Sequence, residues 1–560
     1  MYPQPKFWKS ARSAIYNPET YLLQKLLYRS HITHDTISFL SIISAMPNPN
    51  VYENFAWQET TAGTWVRDVD EAELYYYHIA RAYEGSGRIC FGITGHLTLS
   101  IAKPENCTYE TMASRVDDAL RRGWLQLRFD CPTIASLVVY DERTARVRKQ
   151  YKVFSDDNTP DAWLAQTFQF ITTGQTGAEW CNSDPPAPAL PTLFLIIPAA
   201  ANPGTSSNIV RRDLVLRAPH DVIDGVGTIH LLNKLIANAA NAFDNHMDAT
   251  LAANFGAEVK NLSPPLRVAA CIAPSLSWLQ MARLPQIAMQ HMKVRAGVEV
   301  ASIPFKRGAL LPAKHQREAI LLSVEQTGAI LAACRGIGVT VTHAFHAAAA
   351  LAIRDRQERR PKPRKVRYIN NILANERSRC QGEYGTAMHA AAVYHSSPYR
   401  SLYVDMTVPA LGCTVDSTTK KQEFLETVVQ MSAFYSLVRH DSRDIDFIPL
   451  VWSKARLPWS PSLDGTLPSV PEPDASPSVS MSSLGLIDRI LQPNHSCFKI
   501  FNPWITGEEL SNGLGLFLGT FLGQLELSCA YNEAWHSSSE IRSYLKDCWQ
   551  IVQDSFEVCI

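Results

Sequence analysis

The chain has 560 residues, and its 53 lysines and arginines balance 53 aspartates and glutamates. A net charge of zero provides no field to recruit nucleic acid or an anionic membrane, and no segment has the apolar length of a membrane span. Twelve cysteines lie far apart with no C-x-x-C pair, which reads as reduced thiols in a cytoplasmic protein, not a disulfide framework or a metal site.

The first residues carry Lys6, Lys9, Arg12 and Lys25 but no continuous apolar core of a secretion signal. The length suits two domains of roughly 200–250 residues each. Residues 174–191, with Pro185-Pro186-Ala187-Pro188, read as a linker or surface loop. Alternating apolar residues over 213–219 predict a strand, and Ile229, Leu232, Leu235 and Ile236 predict a helix over 226–243. A domain boundary is expected between Asn245 and Pro265, where Pro264-Pro265 interrupts regular structure. A strand at 320–325, a helix through Ile337 and an alanine-rich helix from His343 to about Gln357 follow. His343, His346 and His389 have no acidic or thiol partner at ligand spacing, so helix packing accounts for them better than a metal. The basic run 359–365 is either a phosphate-binding patch or a solvated helix end. Residues 457–477 are rich in proline and serine, and strands are expected at 479–485, 518–521 and 525–532. The glycine pattern 513–519 is too apolar, and too poor in following acidic residues, to be a dinucleotide fingerprint.

His220-Asp221-Val222-Ile223-Asp224-Gly225 sits at the corner between the first of these strands and its helix. A histidine there presents its ring beyond the strand end, where a substrate can reach it. A carboxylate four residues later can pair with a distant arginine, and the glycine permits close approach of backbone or ligand. The competing reading makes His220 a core histidine and Asp224 a helix N-cap. No G-x-S-x-G elbow is present, which argues against an esterase triad.

H-x-x-x-D-G resembles the signature of the superfamily containing chloramphenicol acetyltransferase, the plant BAHD acyltransferases and the condensation domains of peptide synthetases. Residues 375–385 are similar to the BAHD pattern D-x-R-x-R followed by Tyr-Phe-Gly-Asn, with Asn375 in place of aspartate and Thr386 in place of asparagine. Residues 123–135 resemble the first-lobe segment of fungal secondary-metabolite acyltransferases, such as those acetylating the trichothecene C-15 hydroxyl. The BAHD D-F-G-W-G motif is missing. In carnitine-type relatives, serines on a comparable strand bond the oxyanion, which makes Ser480 and Ser482 candidates; serines of an exit loop are the alternative.

The resemblance implies an α/β fold of two lobes around a central tunnel, residues 1–255 with the motif and 256–560 with a crossover loop near 457–477. It implies that His220 is the general base, and that Asp224 is a scaffold turned away from the tunnel and paired bidentately with Arg377 in preference to Arg379, beside Gly225. It further implies O-acyl transfer from acyl-CoA to a hydrophobic terpenoid or polyketide alcohol, by a monomer without bound cofactor or metal. Transfer from an acyl carrier protein, amide-forming condensation, and a non-acylating binding protein or cyclase remain open.

Overall fold

A computed structural model describes residues 51–199, 208–245, 255–440, 444–455 and 472–558. The N-terminal segment, most of 457–477 and the centre of the expected boundary lie outside the described residues.

In the first half, α1 (Glu71–Arg81) starts at Asp70, whose carboxylate takes the N–H groups of Ala72 and Glu73 while Glu73 reaches back to the Asp70 backbone. β1 (Ile93–Ala102), β2 (Phe168–Gly174), β3 (Thr192–Pro198) and β4 (Ile209–Ala218) follow. The helices α2 (Tyr109–Asp130) and α3 (Gly225–Asn245) bury Leu120, Trp124, Leu232 and Leu235 against Leu97, Leu214 and Leu216 of the strands. Each such side chain contributes roughly 1.5–3 kcal/mol. Gly123 lets the two helices meet closely, because a Cβ there would lie 2.8 Å from the Ala239 nitrogen. The strand and helix expected around the motif are therefore β4 and α3.

The second half contributes β5 (His315–Leu321), α4 (Val324–Gly336), α5 (Val341–Asp355), β6 (Ala374–Asn375), β7 (His395–Ser396) and α6 (Ile448–Lys454). It ends with β8 (Val479–Leu486), β9 (Phe498–Gly507), β10 (Leu514–Phe521), β11 (Gln524–Asn532) and α7 (Ser538–Phe556). A four-stranded sheet runs β5-β11-β10-β8, and the alanines of α5 let that helix bury itself from His343 to Arg354 beneath α7. His346 on α5 belongs to that core, with its two ring nitrogens at 3.1 Å from Tyr435 Oη and 2.9 Å from Tyr368 Oη.

The two lobes interlock. β9 leaves the second half and pairs antiparallel with β1, so the first-lobe sheet runs β9-β1-β4-β3-β2 beyond a short edge strand. Residues 174–191 also depart from the expected loop: they contain a helix, Gly177–Asn182, and Asn182 bonds the Arg317 backbone of β5 at 3.0 and 2.9 Å. Among the described residues no single helix is long and apolar enough to cross a membrane.

Candidate active site

β4 ends at Ala218, and the chain turns through Pro219 and His220 before Asp224 opens α3. The corner is pinned from below by Lys149, which is fully buried and donates to the Asp221 carbonyl at 2.6 Å and to Glu73 Oε1 at 2.5 Å. Burial would raise the Glu73 pKa, but Arg67 and Lys149 overcome it and hold the carboxyl at about 2. Burial pushes Asp221 up to about 6, against the pull of Lys149.

Asp224 serves as both cap and ion-pair partner. Its Oδ1 accepts the Gly227 N–H at 2.7 Å, and its Oδ2 accepts Arg377 Nη1 and the Tyr394 N–H, each at 2.8 Å. Burial alone would raise its pKa, but Arg377 and then His395 outweigh that and keep the carboxyl far below the usual carboxylate range. Asn375, standing where aspartate was expected, accepts Arg377 N at 3.2 Å and Nη1 at 3.4 Å. The bidentate pairing expected from sequence is not formed. Gly227 has taken the second carboxylate oxygen, and Arg377 Nε and Nη2 lack a hydrogen-bond partner among the described residues.

Gly225 also differs from expectation. A Cβ there would meet only Ile505 at 3.7 Å and Leu484 at 3.8 Å, ordinary contacts. The obligatory glycine is Gly227, where a Cβ would lie 2.2 Å from the Ala390 carbonyl oxygen and 2.9 Å from Arg377 Nη2.

His220 Nδ1 lies 2.9 Å from the Ile223 carbonyl oxygen, and a carbonyl only accepts, so the proton sits on Nδ1 and Nε2 carries the lone pair. No hydrogen bond engages Nε2 among the described residues. The residue is 9% exposed. Burial first, and His395 second, depress its pKa to about 3 against the opposing charge of Asp224, which keeps the imidazole neutral. One ring face is covered by Tyr76 of α1, stacked at 3.8 Å and 19°.

Ser480 and Ser482 share the face of β8 opposite buried Val479 and Met481. Ser480 is exposed and its hydroxyl donates to the Leu514 carbonyl at 3.4 Å. No hydrogen bond joins either serine to His220 among the described residues, and from that strand Leu484 packs beside Gly225. Arg379 pairs with Glu376 instead of Asp224. In the basic run, Arg360 and Arg364 both face Glu299, which neutralises part of it.

Two cavities lie along the seam between the lobes, and His220 lines neither. One mixes apolar Leu484, Ile505 and Phe517 with polar Asn502, Gln524 and Glu526; the other carries Thr94, Arg217, His315 and Arg317, and shares Trp504.

No family model matches the chain. It is 25% identical over 512 residues to the O-acetyltransferase pigM of Monascus ruber, covering 90% of this chain and 87% of that one. Its fold matches that of the trichothecene 15-O-acetyltransferase TRI3 from Fusarium sporotrichioides with a TM-score of 0.70 at 15% identity, over 92% of this chain and 99% of that one. The condensation domain of the monacolin K polyketide synthase MokA superposes with a TM-score of 0.52 at 12% identity, over 88% and 98% of the two chains. The chain has the fold of these acyltransferases and condensation domains.

Sequence reasoning missed several groups of this site. His395, Tyr76, Trp452 and Lys149 converge on the motif from β7, α1, α6 and the strand Arg146–Lys152. The run Tyr75-Tyr76-Tyr77 was the one visible signal, and nothing local marks His395.

Proposed function

We propose that the enzyme moves an acyl group from acyl-CoA to a hydroxyl of a hydrophobic secondary metabolite, a terpenoid or polyketide, with His220 as general base. The observation that carries this reading is the tautomer: Nδ1–H is spent on the Ile223 carbonyl, so the Nε2 lone pair faces no protein donor. As the alcohol oxygen attacks the thioester carbon, Nε2 takes the hydroxyl proton. The C–S bond then breaks and the imidazolium returns that proton to the departing thiolate. The Ile223 carbonyl and the Asp224 charge favour the transient imidazolium. Such base catalysis supplies about 10²–10⁴-fold, and positioning and oxyanion stabilisation supply the rest. Ser480 and Ser482 stay candidate oxyanion donors on the family resemblance alone, since the Ser480 hydroxyl is turned to the Leu514 carbonyl.

A hydrophobic acceptor is supported by the apolar wall of the first cavity, where Leu484 and Ile505 are the same two residues that flank Gly225. The acetyltransferase relative supports an O-linked acceptor. We place the enzyme in the cytoplasm as a monomer that holds no cofactor of its own.

The test is thiol release from acetyl-CoA with a panel of alcohols. A bulky hydrocarbon alcohol should exceed small polar alcohols in kcat/KM by orders of magnitude, since each buried methylene contributes ~0.8 kcal/mol. Equal rates with glycerol-sized alcohols would remove the hydrophobic acceptor. Turnover only from a loaded carrier protein would replace the CoA donor.

A further inference from the structure

Asp224 and His220 stand four residues apart in the motif, yet a second connection between them runs through side chains of the other lobe and of α1. His395 Nδ1 lies 3.8 Å from Asp224 Oδ2, and its Nε2 lies 2.8 Å from Tyr76 Oη. The Tyr76 ring in turn stacks on the His220 imidazole at 3.8 Å. A carboxylate facing Nδ1 favours the N–H on that nitrogen, which leaves His395 Nε2 to accept from the Tyr76 Oη–H, a buried phenol that stays protonated. That Nδ1 is buried and has no hydrogen-bond partner among the described residues. Oδ2 already accepts Arg377 and Tyr394, so this contact stays at electrostatic range. Trp452 walls the group, its ring centroid 5.6 Å from Tyr76 and 5.7 Å from His395.

We infer that Tyr76 and His395 are positioning residues for the base: the Asp224 charge orients His395, His395 holds the Tyr76 hydroxyl, and the Tyr76 ring fixes the plane of His220 with Nε2 free. A single hydrogen bond from Nδ1 to Ile223 anchors one atom of the imidazole; a stacked ring is needed to set its plane. The assignment rests on His220 being the base of the proposed reaction. The titratable and charged groups around His220 are Tyr76 from α1, His395 from β7, Asp224 at the start of α3, and Asp221 with Lys149 behind its carbonyl. Around His395 they are Asp224, Tyr76 and His220 itself, with Arg377 beyond the carboxylate.

Three substitutions separate the roles. Tyr76→Phe keeps the stacked ring without its hydroxyl, His395→Gln keeps an acceptor for that hydroxyl, and His395→Ala removes it. The full chain with labelled histidine is followed by NMR, His220 being assigned by the signal lost in His220→Ala. In the wild type and in His395→Gln the His220 signal reports a single Nδ1–H tautomer. In Tyr76→Phe and His395→Ala it reports a mixture. In transfer assays Tyr76→Phe and His395→Ala lose about 10²-fold in kcat with little change in KM, as expected for a misplaced catalytic group. The double variant Tyr76→Phe/His395→Ala is no worse than either single one, and His395→Gln recovers most of the rate. A wild-type tautomer and rate in Tyr76→Phe, or losses that multiply in the double variant, overturn the inference. The tautomer readout needs no substrate, so it tests the positioning pair even if the wild type transfers nothing from acyl-CoA.

Discussion

Arg377 Nη1 lies 2.8 Å from Asp224 Oδ2, with 5% and 4% of the two side chains exposed. The pair joins the start of α3 in the first lobe to the turn after β6 in the second, so the motif carboxylate is also a clasp between lobes. Asp224→Asn keeps the shape but removes the charge opposite a buried guanidinium, and breaking such a pair costs roughly 3–5 kcal/mol. Urea unfolding of the variant against wild type measures it; a loss below ~1 kcal/mol contradicts the clasp. Because the folded pKa of Asp224 is depressed, its contribution is present above the unfolded value of ~3.9 and is lost as pH falls through the folded one.

Gly227→Ala should be far more damaging than Gly225→Ala. The first forces a Cβ to within 2.2 Å of the Ala390 carbonyl oxygen and displaces Arg377, an overpacking cost of about 1–3 kcal/mol or more. The second meets only ordinary contacts and should be neutral or stabilising by about 0.4–1 kcal/mol. Thermal unfolding of the two variants settles the order, and a destabilised Gly225→Ala with a tolerant Gly227→Ala reverses it.

How much of this site could be read from the chain follows from the range of its interactions. β4, α3 and the motif between them are local, set by apolar periodicity and an N-cap, and they appear where the pattern puts them. Arg377 was reachable because its neighbours carry a pattern of their own. The monodentate geometry was not, since it depends on Gly227 claiming Asp224 Oδ1. His395 and Tyr76 meet only when residues 319 positions apart are folded together, and no local spacing encodes that. The helix in 174–191 was hidden by the flanking prolines, which end it at Asn182 without preventing its Thr176 cap.

The pH dependence of His220 has a definite sign. Burial holds its folded pKa at about 3, against ~6.5 in the unfolded chain. Its contribution to stability is complete above ~6.5 and declines below, where the unfolded chain takes up a proton that the folded one refuses. Between pH 7 and 5 the stability of wild type relative to His220→Ala should fall by about 2 kcal/mol. The same depression keeps the base neutral, so kcat/KM should show no acid limb near ~6.5. A limb there, or a stability difference constant from pH 7 to 5, contradicts a desolvated imidazole.

The most direct measurement is the turnover of His220→Ala against wild type, with acetyl-CoA and a bulky hydrophobic alcohol, after circular dichroism has shown both chains folded. The imidazole is the group that moves the proton, so a loss of about 10²–10⁴-fold in kcat/KM is expected of the folded variant, whatever its stability. A folded variant that retains turnover within about tenfold of wild type would contradict general-base catalysis by His220.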